Sequence, residues 1–73
     1  LVRGKRVLDL ACGEGYGSYL CAVWGAAKVV GVDLAEDAIE RARGRFSHPV
    51  LEFHAHDAQR IDERFDPESF DLV

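Results

Sequence analysis

Apolar positions follow two rhythms along this chain. RVLDLA, residues 6–11, is a short aliphatic run that ends in a cluster of glycines, and it predicts a buried strand. The segment SYLCAVW, from Ser18 to Trp24, has no strand alternation and stops at Gly25, so a helix is predicted there. KVVGVD, residues 28–33, predicts a second buried strand. Ala35, Ala38, Ile39, Ala42 and Phe46 then recur at helical spacing, while Glu36, Asp37, Glu40, Arg41 and Arg43 point elsewhere. The acids of this helix lie early and its arginines late, as the helix dipole prefers. Pro49 closes the unit, and VLEFHA, residues 50–55, alternates weakly as a third strand. Within the polar stretch 59–69, the acids and arginines of residues 60–68 read as a solvated loop or short helical turn, after which FDLV, residues 70–73, begins a fourth strand.

Strands that alternate with helices through short connections must run parallel, and their crossovers are almost always right-handed. The order β-α-β-α-β-β therefore predicts an α/β fold: the first half of a doubly wound parallel sheet. Ligands of such sheets sit beyond the carboxyl ends of the strands, beside the point where strand order reverses. Three features meet on that edge: the loop from Asp9 to Gly17, Asp33 at the end of the second strand, and Asp57 after the third.

Size and charge narrow the field. With 73 residues, 48% hydrophobic and 30% charged, the composition is globular and too apolar for a disordered tail. A chain this short buries only about 60% of its unfolded surface. Together with Leu1 at one end and apolar FDLV at the other, this predicts part of a larger domain, incomplete at its C-terminal end. A net charge of -4 leaves no basic stripe to neutralise phosphates, which argues against a nucleic-acid surface in this part. No apolar run approaches the roughly 18 residues of a membrane span and no signal-peptide pattern opens the chain, so no membrane association and a cytoplasmic location are expected. Cys12 and Cys21 are too few for a disulfide framework and lack zinc-ligand spacing; buried reduced thiols are expected.

VLDLACGEGYG, residues 7–17, carries the chemistry. Gly13, Gly15 and Gly17 allow left-handed backbone and close ligand approach. A dinucleotide fingerprint needs a third glycine at position 18, where this chain has Ser18. Asp9 and Glu14 would repel a pyrophosphate and attract an ammonium or sulfonium. Asp33, 20 residues after Gly13, can accept hydrogen bonds from two ribose hydroxyls. The ligand type that fits all of these is adenosine joined to a cationic, phosphate-free group.

These residues resemble the class I S-adenosylmethionine-dependent methyltransferase family, whose fold is Rossmann-like. VLDLACGEGYG looks like its first motif, VVGVD its second, HAHDA its third, and SFDLV the opening of its fourth. The resemblance covers nearly the whole chain. It implies that Asp9, Ala11, Gly13 and Gly15 border the methionine part of the cofactor, that Asp33 holds the ribose, and that Leu34 covers a face of the adenine. It also implies that Asp57 takes the adenine amine and the Ala58 N–H a ring nitrogen. One departure is Ala35, where the family often has a serine or threonine cap; its loss costs about 1 kcal/mol of helix stability.

The implied activity is methyl transfer to an acceptor, for which a small molecule or glycan is favoured because the chain has no basic stripe. Acceptor contacts and any general base are expected beyond Val73, so no catalytic residue is assigned. Two alternatives use the same residues: a non-catalytic adenosyl-binding module or aminopropyl transferase on this fold, and a nicotinamide-dependent oxidoreductase, which Ser18 and the acidic loop disfavour. His54, His56 and Asp57 invite a metal reading, yet two imidazoles and a carboxylate so close on one strand make an awkward site. The histidines are expected to pack or to reach solvent.

Overall fold

Four residues of the central strand, Val29 to Val32, are buried in succession, which requires both faces of a sheet to be covered. The computed structural model describes residues 1–73, with Pro67 described by its backbone alone. Its elements are β1 (Arg6–Leu10), α1 (Tyr16–Val23), β2 (Lys28–Asp33), α2 (Glu36–Arg45) and β3 (Leu51–Ala55). Two short 3-10 turns follow, Ala58–Glu63 and Pro67–Ser69. The strands are parallel in the order β1-β2-β3, with Leu10 opposite Val32 and Asp33 opposite Ala55. Their carboxyl ends thus share one edge.

On one face, Val7 and Val29 pack with Ala22 of α1 and with Ala26, while Phe53 packs with Ile39 and Ala42 of α2. On the other, Leu8, Val30 and Val32 are covered by Ile61, Phe65 and Phe70. The acids and arginines of residues 60–68 are exposed on or beside short helical turns, as expected, but the sequence reading gave Ile61 and Phe65 no role. Ile61 and Phe65 lie four residues apart and lay an apolar strap across the second face, while Gln59, Arg60, Asp62, Glu63 and Arg64 stay exposed.

The predicted fourth strand is begun on the far side of β1. Leu72 forms a parallel bridge with Val7, the Leu8 N–H donates to the Leu72 carbonyl at 2.8 Å, and the Asp71 N–H donates to the Arg6 carbonyl at 2.8 Å. The Asp71 carboxylate also accepts from the Arg6 backbone N–H at 2.9 Å and from its guanidinium at 3.3 Å. β1 therefore has β2 on one side and the Leu72 segment on the other, which makes its end the switch point of strand order.

Helix boundaries follow local chemistry. α1 starts at Tyr16, two residues before the predicted Ser18, because Gly15 at φ 93° turns the chain and its carbonyl accepts the Tyr19 N–H at 2.9 Å. Its end is a Schellman motif: Gly25 at φ 100° donates to the Ala22 carbonyl, and Ala26 donates to that of Cys21, each at 3.1 Å. α2 opens at Ala35 without a side-chain cap, and Glu36 and Asp37 in its first turn face Arg43 and Arg45 in its last. On the outer edge of β3, the Arg43 guanidinium donates to the Phe53 carbonyl at 2.6 Å, satisfying an acceptor that has no neighbouring strand. No helix among the described residues is long and apolar enough to cross a membrane.

Candidate functional site

The loop between β1 and α1 is set by three left-handed residues at alternate positions: Ala11 (φ 59°), Gly13 (φ 60°) and Gly15 (φ 93°). β1 is one residue shorter than predicted because Ala11 already turns away. A left-handed alanine costs about 1–2 kcal/mol, and strain of this kind collects where a ligand must be approached closely. The Cys12 N–H donates to the Val32 carbonyl at 2.9 Å, which ties the loop to the end of β2.

Asp33 is the hub of the strand ends. Its Oδ2 accepts the Gly13 N–H at 2.8 Å and its Oδ1 the Ala35 N–H at 2.9 Å, so one carboxylate joins the glycine loop to the start of α2. These bonds, Ala35 first and then Gly13, hold its carboxyl below the usual carboxylate range. The His56 N–H donates to the Asp33 carbonyl at 3.1 Å, and Asp57 therefore leaves the sheet beside Asp33. Asp57 Oδ1 accepts the Gln59 N–H at 2.9 Å, and this bond caps the turn that starts at Ala58. Leu34, next to Asp33, stands 72% exposed, a large apolar side chain at the rim with nothing over it. The predicted site residues thus lie near the end of β1 (Asp9), in the loop that follows it (Ala11, Gly13, Gly15), at the end of β2 (Asp33) and in the segments leaving β2 and β3 (Leu34, Asp57, Ala58).

The charge of the loop is not the one the sequence suggests. Glu14 turns away to α2, where it accepts from Arg41 Nε at 3.1 Å and from an Arg45 guanidinium nitrogen at 3.3 Å. The reading of Glu14 as a carboxylate facing the ligand is therefore corrected: its charge is met by two arginines. Asp9 and Asp33 supply the negative field instead. Burial, followed by these two charges, pushes the Cys12 thiol up to about 11, so Cys12 stays a protonated packing residue beside Ile39, Ala42 and Phe53. Because the Glu14 pairs are half exposed, Glu14→Gln is expected to cost less than about 1 kcal/mol of stability, an effect that shrinks in high salt. Denaturant midpoints at low and high ionic strength check this, and a loss of several kcal/mol would mean the pairs hold the loop in place.

Two glycines divide the work of the loop. A Cβ on Gly13 would meet nothing within 4 Å, so its missing side chain leaves open space. A Cβ on Gly15 would lie 2.6 Å from Phe53 Cζ and 2.9 Å from Ala42 Cβ. Gly15 is thus required by helix-on-sheet packing, a reason different from the close ligand approach that the motif suggests. Sequence reasoning also missed Ser18. Its hydroxyl, fully buried, donates to Asp9 Oδ2 at 2.6 Å.

Other candidates have plain structural partners. His54 Nε2 bonds Glu52 at 3.0 Å and its ring meets the edge of Phe65, while His56 Nε2 donates to the Arg60 carbonyl at 3.0 Å. Tyr16 and Tyr19 both pack on Phe46. A cavity of about 350 Å³ opens along the outer edge of β3, lined by Arg43, Phe46, His48, Leu51 and His54, and none of the loop residues borders it.

Known proteins resemble this chain in sequence and in fold. A family described as methyltransferase domain matches residues 1–73. The chain is 42% identical over 71 residues to the phthiotriol/phenolphthiotriol dimycocerosates methyltransferase of Mycobacterium leprae, covering 96% of this chain and 26% of that protein. It is 44% identical over 73 residues to the fatty-acid O-methyltransferase of Mycolicibacterium smegmatis, covering 99% and 26%. The solved structure of an S-adenosylmethionine-dependent methyltransferase from Mesorhizobium loti superposes with a TM-score of 0.82 at 35% identity, over 97% of this chain and 32% of that one. The chain spans about a quarter of the length of the curated relatives it matches. A match over every residue, together with parallel strands whose ends carry the loop and both acids, means that the chain belongs to the methyltransferase-domain family.

Proposed function

We propose that this chain is the S-adenosylmethionine-binding part of a methyltransferase that acts on a small-molecule acceptor. The observation that carries the reading is the bond from the Gly13 N–H to Asp33, which joins the glycine loop to the acid ending β2 at the switch point of the sheet. The residues present fit the cofactor's chemistry. Asp9 and Asp33 provide a negative field for a cation, Gly13 leaves room for backbone approach, and Leu34 is an exposed apolar cover beside a hydroxyl-binding acid. In this reading Asp9, Ala11, Gly13 and Gly15 border the methionine part, Asp33 takes the ribose hydroxyls, and Leu34, Asp57 and Ala58 receive the adenine.

The cofactor supplies an activated methyl group on a sulfonium. The chain's own contribution is to bind and orient it. Each Asp33 oxygen has one lone pair taken by a backbone N–H and one left for a ribose hydroxyl, so the acid is aimed before any ligand arrives. Orientation of this kind is the main demand of an in-line displacement, which needs little covalent help. The fatty-acid O-methyltransferase among the relatives supports a small-molecule acceptor, and the acidic charge of this part opposes a polyanionic one. The length of the relatives supports placing acceptor contacts outside these residues.

Calorimetry on the full-length protein with S-adenosylhomocysteine and NADH in parallel tests the reading. Binding of the homocysteine compound without NADH is expected, followed by label transfer from S-adenosylmethionine to a small-molecule acceptor. NADH binding alone would overturn the cofactor. Cofactor binding with no product across an acceptor screen would make the protein an adenosyl-binding module.

A further inference from the structure

We infer that Ser18 is a positioning residue for the cationic end of the ligand, acting through Asp9. This rests on the reading of the site given above. A serine inside a helix ordinarily reaches solvent or turns its hydroxyl back to the carbonyl four residues earlier. Ser18 does neither: it is fully buried on α1, and its hydroxyl crosses to the end of β1 to donate to Asp9 Oδ2 at 2.6 Å. That length belongs to a charge-assisted O–H···O⁻ bond.

The surroundings are shaped for this bond. The β2 residue paired with Asp9 is Gly31, and a Cβ there would lie 2.8 Å from the Ser18 hydroxyl oxygen. The same Cβ would lie 2.8 Å from the Phe53 ring, so Gly31 makes room for both groups. On the other side, a Cβ on Gly17 would meet Asp9 Oδ2 at 3.9 Å. The hydroxyl thus sits between α1 and the sheet, and its acceptor is the one acid of this edge that has no arginine or backbone N–H partner among the described residues. Glu14 has two arginines and Asp33 two backbone N–H groups, whereas Asp9 has Ser18. Oδ2 is anchored, and Oδ1, which takes no hydrogen bond among the described residues, is left to accept from an ammonium. Held in one rotamer, Asp9 need not be ordered when the ligand binds, which is a saving in affinity.

The inference separates the two ends of the ligand. In the full-length protein, Ser18→Ala removes one oxygen from a buried site and leaves the shape of α1. It is expected to weaken S-adenosylhomocysteine binding by about three- to tenfold, the net worth of one hydrogen bond. Binding of 5′-methylthioadenosine, which has the adenosine and thioether but no ammonium, is expected to stay within about twofold. Thermal unfolding of both proteins, recorded alongside, reports any general loosening. Equal losses for the two ligands, or no loss for either, would overturn the role of Ser18 while the cofactor assignment stands. Failure of the unsubstituted protein to bind either compound would overturn the assignment, and the inference with it.

Discussion

Gly15→Val is expected to destabilise the folded protein by about 2–5 kcal/mol, read as a lowered denaturant midpoint in the full-length protein. Two costs add. Gly15 holds φ 93°, and a left-handed conformation costs an L-residue about 1–2 kcal/mol, with valine's branched Cβ among the worst placed to adopt it. The new Cβ would also start 2.6 Å from Phe53 Cζ and 2.9 Å from Ala42 Cβ, both of them buried, and overpacking of this kind costs about 1–3 kcal/mol. Phe53 cannot swing aside freely, since it packs between Ile39 and Ala42 on the helix side of the sheet. Gly13→Ala is the control. It shares the left-handed conformation, at φ 60°, but its Cβ enters open space, so only the backbone cost of about 1–2 kcal/mol is expected. A Gly15→Val protein that unfolds at the unsubstituted midpoint would mean that the loop and Phe53 relax together at no cost.

That contrast also shows how far a sequence can be read. β2 has the bounds its residues predict, Lys28 to Asp33, because a strand buried on both faces is a continuous apolar run with an acid at its exit. The three features of the carboxyl edge were legible for the same reason: parallel topology brings strand ends together whatever the side chains do. What was not legible depends on tertiary direction. Nothing in the types of Gly13 and Gly15 says that one faces open space and the other faces Phe53. The start of α1 carries no capping side chain, only a left-handed Gly15, so Tyr16 is invisible as a helix start. Glu14 looked like a ligand-facing acid because its partners, Arg41 and Arg45, lie 27 and 31 residues away. Ser18 stood out only as a misfit to a dinucleotide motif. Ile61 and Phe65 were spaced as one turn of helix, but the charges around them masked a face that covers Leu8, Val30 and Val32.

The second large effect is expected at Asp33, and it should be felt in binding and in folding together. Asp33→Ala is expected to weaken S-adenosylhomocysteine binding by about 1.5–3 kcal/mol, the range for hydrogen bonds to a charged group, or on the order of 10- to 150-fold. Two effects combine: the acceptors proposed for the ribose hydroxyls are removed, and the Gly13 N–H loses the partner that holds the loop against β2. Asp33→Asn separates shape from charge. An amide keeps the size of the side chain but has one accepting oxygen, so either Gly13 or Ala35 must face an NH2 donor. Stability against pH gives an independent reading. Backbone N–H bonds, from Ala35 and then Gly13, lower the folded carboxyl below its unfolded value. Its contribution is therefore present in full above the unfolded carboxylate value and is lost as pH falls through the lower folded one. Glu52, lowered first by His54, and Asp71, lowered first by Arg6, lose stability in the same direction, so the unsubstituted curve mixes all three. The difference between the unsubstituted and Asp33→Asn curves removes Glu52 and Asp71. It should be flat above about pH 5 and shrink as acid is added below that. A difference that stays constant down to strong acid would mean that the carboxylate is not bonded to the loop, and one that grows in acid would reverse the sign of its role.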